Sequence, residues 1–245
     1  MNESKESEYE ARFDYSKGVI GATPGSWKVS AWNQLNKRTT ELVGRLAKGS
    51  KRVLIVGVGS GGSLSNYGQE SVVQKLGIDI NRKFLLNSRK KCEPILASAL
   101  HLPLKEESID LVFFELILHH LKGQKSLEGS LKEAYRVLGD KGKLVSVEPN
   151  SLNPSGFLMN VINSFHSYST LLGGSNYEFS LTPKEIRTAL SDFSTVEIMA
   201  FSYIHPRLPV PVQRSILRHQ GFLMKRFAYF AWMLLIMAKK HSAKL

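Results

Sequence analysis

Two groups of residues in this chain have the types and spacing to do chemistry. The first is Arg52-Val-Leu-Ile-Val-Gly-Val-Gly-Ser-Gly-Gly62, followed by Leu76-Gly-Ile-Asp79. Val53 to Val56 is a short unbroken apolar run, the pattern of a parallel strand covered on both faces. Gly57, Gly59 and Gly61, with Val58 and Ser60 between them, then form a turn whose backbone can approach a ligand closely, because no Cβ stands in the way. Asp79 falls where a second parallel strand would end, and a carboxylate there can accept hydrogen bonds from both hydroxyls of an adenosine ribose. The second group is His119-His120, at the end of another apolar run. An imidazole there can remove a proton near neutral pH. Together they predict an adenosine-containing cofactor at one edge of an α/β sheet.

The glycine spacing leaves the cofactor open. Gly57, Gly59 and Gly62 satisfy the G-x-G-x-x-G of nicotinamide-binding domains, whereas Gly57, Gly59 and Gly61 satisfy the G-x-G-x-G of S-adenosylmethionine-dependent enzymes. The segments that follow separate the two. Ile95 to Leu104 ends in His-Leu-Pro-Leu; Ser108 to Leu121 begins at Ile-Asp and runs into Leu-His-His; Glu133-Ala-Tyr-Arg-Val-Leu138 and Gly142 to Asn150 come next. In this order and spacing, residues 35 to 150 resemble the class I S-adenosylmethionine-dependent methyltransferases, in the type 11-like group that methylates small molecules and lipids. The nicotinamide oxidoreductase alternative lacks a tyrosine followed four residues later by lysine, and nothing after residue 150 reads as a second nucleotide-binding half. A third alternative is a non-catalytic relative that serves as a binding protein.

The resemblance implies S-adenosyl-L-methionine as cofactor. It would be held by Gly57, Val58, Gly59, Ser60 and Gly61, by Asp79 and Ile80 at the ribose, by Ser98 and Ala99 at the adenine, and by Glu115 and Leu116 after the fourth strand. Two positions depart from the family's pattern: Ile55 stands where an acidic residue is usual, and Ser98 replaces an acidic residue at the adenine. Side-chain alternation along the fourth strand selects His120 as a general base, with His119 packing or capping. The alternative is that both histidines merely line the pocket. Glu148 and Asn150, ending the fifth strand on the same edge, are candidates to hydrogen-bond the acceptor, or else they fix the turn.

These residues need a scaffold, and the chain predicts a Rossmann-like, doubly wound α/β sheet of seven strands, mostly parallel with an antiparallel last strand. Its 245 residues, 42% of them hydrophobic and 22% charged, suit one globular domain. An N-terminal cap and helix over 1–48 would precede a cofactor-binding core over 49–150, a substrate lid over 151–181 and a C-terminal unit over 182–245. Ala31 to Ala47 carries a helical period through Leu35, Leu42, Val43 and Leu46 and stops at Gly49. Thr182-Pro-Lys-Glu185 has the capping-box pattern of a helix start. Val196–Ile204 and Tyr229–Met237 read as the sixth and seventh strands.

The acceptor is expected to be small and hydrophobic, a lipid or lipid-linked, because the lid is apolar and aromatic. Phe165 within it, and Tyr9 and Phe13 from the N-terminus, would line the acceptor. The net charge is +12, and from Ile198 onward there are eight cations and no acidic residue. Interleaved with apolar side chains, they suggest a peripheral membrane contact, with nucleic acid a weaker rival. The apolar run Phe227 to Ala238 is shorter than the ~20 residues of a membrane span. The single cysteine, Cys92, excludes an internal disulfide within the chain. With no apolar N-terminal stretch, a cytoplasmic location is expected. No metal-ligand spacing is present.

Overall fold

The computed structural model describes residues 27–59, 74–121, 124–154, 157, 161, 180–205 and 208–241. Helix α1 spans Trp27–Leu46, β1 Arg52–Val56, β2 Gln74–Asp79, α2 Arg82–Ser88, β3 Glu93–Leu96, β4 Ile109–Glu115, α3 Gln124–Val137 and β5 Leu138–Pro149. They are followed by α4 (Pro183–Ala189), β6 (Thr195–Ser202), α5 (Val210–Arg226), a 3-10 turn (Ala228–Phe230) and β7 (Met233–Lys239). The seven strands form one sheet in the order β3-β2-β1-β4-β5-β7-β6. Only β7 runs antiparallel, to both β5 and β6. This is the Rossmann-like arrangement expected from the alternating pattern.

The apolar runs become strands buried on both faces. Val53 to Val56 and Leu111 to Phe114 are all within 2% of full burial. Because successive side chains point to opposite faces, they feed two cores. Leu54, Val56, Val112 and Phe114 join Leu131, Ala134 and Val137 of α3 and Ile186 of α4. Val53, Ile55, Leu111 and Phe113 join Leu35, Val43 and Ala47 of the α1 segment. Ile55 is therefore a core residue, seated between Gly77 of β2 and Phe113 of β4. Fully burying such a side chain contributes roughly 1.5–3 kcal/mol.

Small polar devices fix the ends. Asp110 accepts from the backbone N–H of Lys51 and Arg52 at 2.6 and 2.8 Å, tying the start of β1 to β4. Thr182 and Glu185 make the expected reciprocal capping box. Gly49 takes a φ of +85° after α1, the left-handed stop that its position predicts.

The sheet's far edge departs from expectation in its boundaries. The seventh strand begins at Met233 rather than Tyr229, because residues 228–230 form the 3-10 turn and Tyr229 is 70% exposed. The sixth ends at Ser202, where a bulge shifts its register against β7. The 17-residue α5 has no counterpart among the elements that the sequence predicts. Its only clear signal is Pro211 in the first turn, where a missing N–H does no harm.

Candidate functional site

The strand order reverses direction between β1 and β4, and open α/β sheets bind ligands at the carboxyl edge of such a switch. Gly57 turns the chain there with a φ of +74°, and Gly59 follows at +51°. A Cβ on Gly57 would lie 2.6 Å from Cδ1 of Ile117, so this turn and the loop after β4 pack together at van der Waals limits. The N–H groups of Gly57 and Val58 both donate to the Ile78 carbonyl, at 2.8 and 3.1 Å. The Val58 side chain points into the core, so a ligand here would meet only its backbone.

Asp79 stands at the carboxyl end of β2, beside this turn. One carboxylate oxygen accepts from Gly59 N at 2.8 Å and the other from Asn81 N at 2.8 Å. A carboxylate has about four lone-pair sites, so it can take a further donor. Burial pushes the Asp79 carboxyl above its usual range, opposed by the backbone N–H groups of Asn81, Gly59 and Ile80. Such a desolvated carboxylate, at the end of a strand, is suited to a ligand that brings its own hydroxyl donors.

Asn81 carries no motif in the sequence that marks it as a site residue. Its Oδ1 caps α2 by accepting from Lys83 N at 2.9 Å and Phe84 N at 3.4 Å. Its Nδ2 is buried with no hydrogen-bond partner among the described residues. A buried amide donor two residues beyond Asp79 therefore lacks an acceptor, which a ribose hydroxyl would supply. The cofactor expected from the sequence thus fits the side chains present.

The segment after β3, where the sequence places the adenine, is held by helix α3. Glu133 accepts from Leu102 N at 2.8 Å, while Arg136 donates to the carbonyls of Leu102 and Leu104, each at 2.9 Å, and pairs with Glu133 at 2.8 Å. The Arg136 partner holds the Glu133 carboxyl below its ordinary range. This clamp explains the Glu-Ala-Tyr-Arg sequence: it fixes the segment carrying Ser98 and Ala99. Ser98 Oγ accepts from Leu100 N at 3.1 Å, and Ala99 is buried.

The loop after β4 hangs on one carboxylate. Glu148 is wholly buried. Its Oε1 accepts from the backbone of Ile117 and Leu118 at 3.2 and 3.0 Å and from Ser146 Oγ at 2.7 Å. Its Oε2 accepts from His119 N at 3.3 Å and lies 2.7 Å from His119 Nδ1. Glu115 and Leu116 lead into this loop, Leu116 with a φ of +53°. The Glu148 oxygens are thus engaged within the chain, and the turn-fixing alternative describes their geometry. The same holds for Asn150, whose Nδ2 donates to the carbonyls of Tyr229 and Ala231, both at 2.8 Å, and whose Oδ1 accepts from Leu152 N at 3.0 Å.

The histidines need a different argument from strand alternation. β4 ends at Glu115 and both rings lie in the following turn, so the rule that only one can face the pocket does not apply. Their centroids are 4.2 Å apart. The carboxylate of Glu148 orients His119, placing a proton on Nδ1 between them and leaving Nε2 as the other ring nitrogen. His120 is held neutral: burial, then the neighbouring His119, depress its pKa well below 6.5. Ser60, Gly61, Tyr9, Phe13 and Phe165 lie outside the described residues. Among those described, no group of three or more metal-binding side chains occurs.

The sheet order, the positive-φ glycine turn and the buried carboxylate after β2 are arranged as in the fold of class I S-adenosylmethionine-dependent methyltransferases. Residues 54–146 match the model of the methyltransferase domain family. An uncharacterized protein of Methanocaldococcus jannaschii is 35% identical over 103 residues, which are 41% of this chain and 42% of that protein; the match thus spans less than half of this curated relative. Among solved structures, a methyltransferase of Thermotoga maritima that uses this cofactor has a TM-score of 0.62 at 18% identity, covering 86% of this chain and 94% of its own. Another, of Archaeoglobus fulgidus, has a TM-score of 0.57 at 20% identity, covering 82% and 94%. At these identities the structures testify to the fold.

Proposed function

We propose that this protein transfers a methyl group from S-adenosylmethionine to a small hydrophobic or lipid-linked acceptor. The observation that carries the reading is the desolvated Asp79 carboxylate, bonded to the Gly59 turn at the switch point, beside the unpartnered Asn81 amide. When bound, the cofactor supplies a methyl carbon made electrophilic by its sulfonium. Asp79 and Asn81 would grip the ribose hydroxyls, the Gly57 to Gly61 turn would admit the amino-acid end, and Ala99 would read the adenine.

The chain's further task is alignment, since displacement needs the acceptor atom about 3 Å away and in line. Glu148 supports this by fixing the loop from Ile117 to His119 against the Gly57 turn. For an acceptor that must lose a proton, the pair His119 and His120 is the candidate base, His119 oriented by Glu148 and His120 kept neutral by burial. The segment 151–181 would act as the lid, with Phe165, Tyr9 and Phe13 against the acceptor. A cytoplasmic site at a membrane surface completes this reading. Among the described residues no helix is long and apolar enough to cross a membrane.

Calorimetric titration with S-adenosylmethionine, S-adenosylhomocysteine and NADH, repeated on Asp79→Ala, tests the cofactor assignment. Micromolar binding of the first two, lost in the variant, is expected; binding of NADH alone would overturn it. Equal turnover of a polar acceptor and its lipid-linked form would remove the hydrophobic preference.

A further inference from the structure

Helix α5 is built unlike the others. It carries Arg214, Arg218, Lys225 and Arg226 and no acidic residue, and among its described side chains Gln213 alone is buried. At 100° per residue, Gln213, Ile216, Gln220 and Leu223 fall on the face turned to the body. Arg214, Arg218 and Lys225 form a stripe on the opposite face. Exposed apolar groups border that stripe on both sides: Leu217 and Met224 at 39% and 37%, and Phe222 at 63%. The chain then turns through Phe227, Tyr229 and Phe230, which are 45%, 70% and 54% exposed.

A cationic stripe with apolar borders, next to a cluster of exposed aromatics, is the composition of a helix lying in a membrane interface. Aromatic rings sit at the headgroup level and long cationic side chains reach the lipid phosphates. A solvated basic face would not carry six exposed large apolar side chains beside its charges. A nucleic-acid surface would likewise favour rings that stack over rings at a helix rim, and would keep the leucine and methionine covered.

The position of the helix gives this composition a purpose. β6 runs parallel to β5, because both are antiparallel to β7. The segment between Ser202 and Met233 therefore leaves and re-enters the sheet at the edge that carries Gly57, Asp79 and Glu148. Side chains fasten it there. The Tyr203 hydroxyl lies 3.0 and 2.9 Å from the carbonyls of Leu223 and Phe227, and Asn150 and Asn153 donate to carbonyls of the Tyr229–Ala231 turn. Just after β5, on the same edge, Leu152 and Phe157 are 45% and 64% exposed.

We infer that α5 and the Phe227–Phe230 turn form a docking surface for an anionic lipid bilayer, which presents the cofactor edge of the sheet to the membrane. This rests on the lipid-linked acceptor reading for its purpose, but the surface is testable by itself. Full-length protein is sedimented with vesicles of phosphatidylcholine alone and of phosphatidylcholine with phosphatidylglycerol. Binding is expected only to the anionic vesicles and should weaken as salt rises. Replacing Arg214, Arg218 and Lys225 with Gln together should lower partitioning by about a hundredfold, at roughly fivefold per cation. Phe222→Ser with Tyr229→Ser should lower it while the salt dependence persists.

All five positions are exposed, and unchanged S-adenosylmethionine affinity in the variants verifies the fold. Absence of vesicle binding, or binding that the triple variant retains, overturns the inference. Binding to duplex DNA without vesicle binding, or dimerisation through the helix, overturns it as well. Failure of the cofactor titration would instead strike the proposed activity and leave vesicle binding as measured.

Discussion

Replacing Glu148 with alanine should damage the fold and the cofactor site together, and by more than an ordinary core substitution. Five donors converge on this one carboxylate: three backbone N–H groups, the His119 ring and the Ser146 hydroxyl. Removing it leaves buried donors without an acceptor, each at roughly 1–3 kcal/mol, although water entering the vacated space would satisfy some of them. Breaking a buried charged pair by deleting one partner costs about 3–5 kcal/mol, and that range serves as the expected loss. For a chain of this size it corresponds to a melting point lower by about 6–20 °C. Glu148→Gln should be milder, about 1–2 kcal/mol, because its carbonyl oxygen can take the Oε1 position while its amide meets His119. The second consequence is local. The loop held by Glu148 includes Ile117, which packs on Gly57, and the left-handed Leu116. Freed, it should relax away from the turn and weaken S-adenosylmethionine binding at least tenfold. Thermal melts and calorimetry on both variants check the two effects. A melting point within ~2 °C of the parent for Glu148→Ala would refute the clamp; a large loss of stability with unchanged affinity would refute its link to the site.

Other perturbations separate fold from function. Thr182→Ala removes one half of the α4 capping box and should lower stability by about 1 kcal/mol with no change in cofactor affinity, a control for general destabilisation in the same assays. Gly57→Ala places a Cβ 2.6 Å from Ile117 in a left-handed conformation; about 1–2 kcal/mol of backbone strain alone, visible in the melt, should accompany weakened cofactor binding. Asn81→Ser keeps an oxygen to cap α2 but removes the buried amide donor, so calorimetry should show a several-fold loss of affinity with a nearly unchanged melting point. The depressed pKa of His120 has a definite sign: the neutral ring is favoured by folding, so this contribution is complete above pH 6.5 and is lost as pH falls through the lowered folded value. The pH dependence of denaturant stability should accordingly flatten in His120→Gln across that acid window.

The parts of the fold that were legible in the sequence are those where one residue type can serve only one purpose. An apolar run such as Val53 to Val56 becomes a fully buried strand because nothing else covers both of its faces, and Gly57 and Gly59 are needed because their φ values are positive. Asp79 was legible for a related reason: a lone acid at the end of an apolar strand is explained only by donors that meet it. What could not be read is what depends on contacts distant along the chain. Glu148 reads as a candidate acceptor ligand until its partners, some thirty residues back, are brought to it by the pairing of β4 and β5. Ile55 reads as a missing polar link until β2 and β4 close over it. Helix α5 escapes for the opposite reason. Its apolar and cationic residues are not sorted into the one buried stripe that marks a helix packed on a protein core, because Gln213 and Gln220 occupy the inward face while Phe222, Leu217 and Met224 stand outward. A pattern that fails to predict burial against protein is the pattern expected of a helix whose outer face has a second apolar phase to meet. The failure of periodicity at α5 and the proposed bilayer contact are therefore one observation, read at the level of sequence and again at the level of surface.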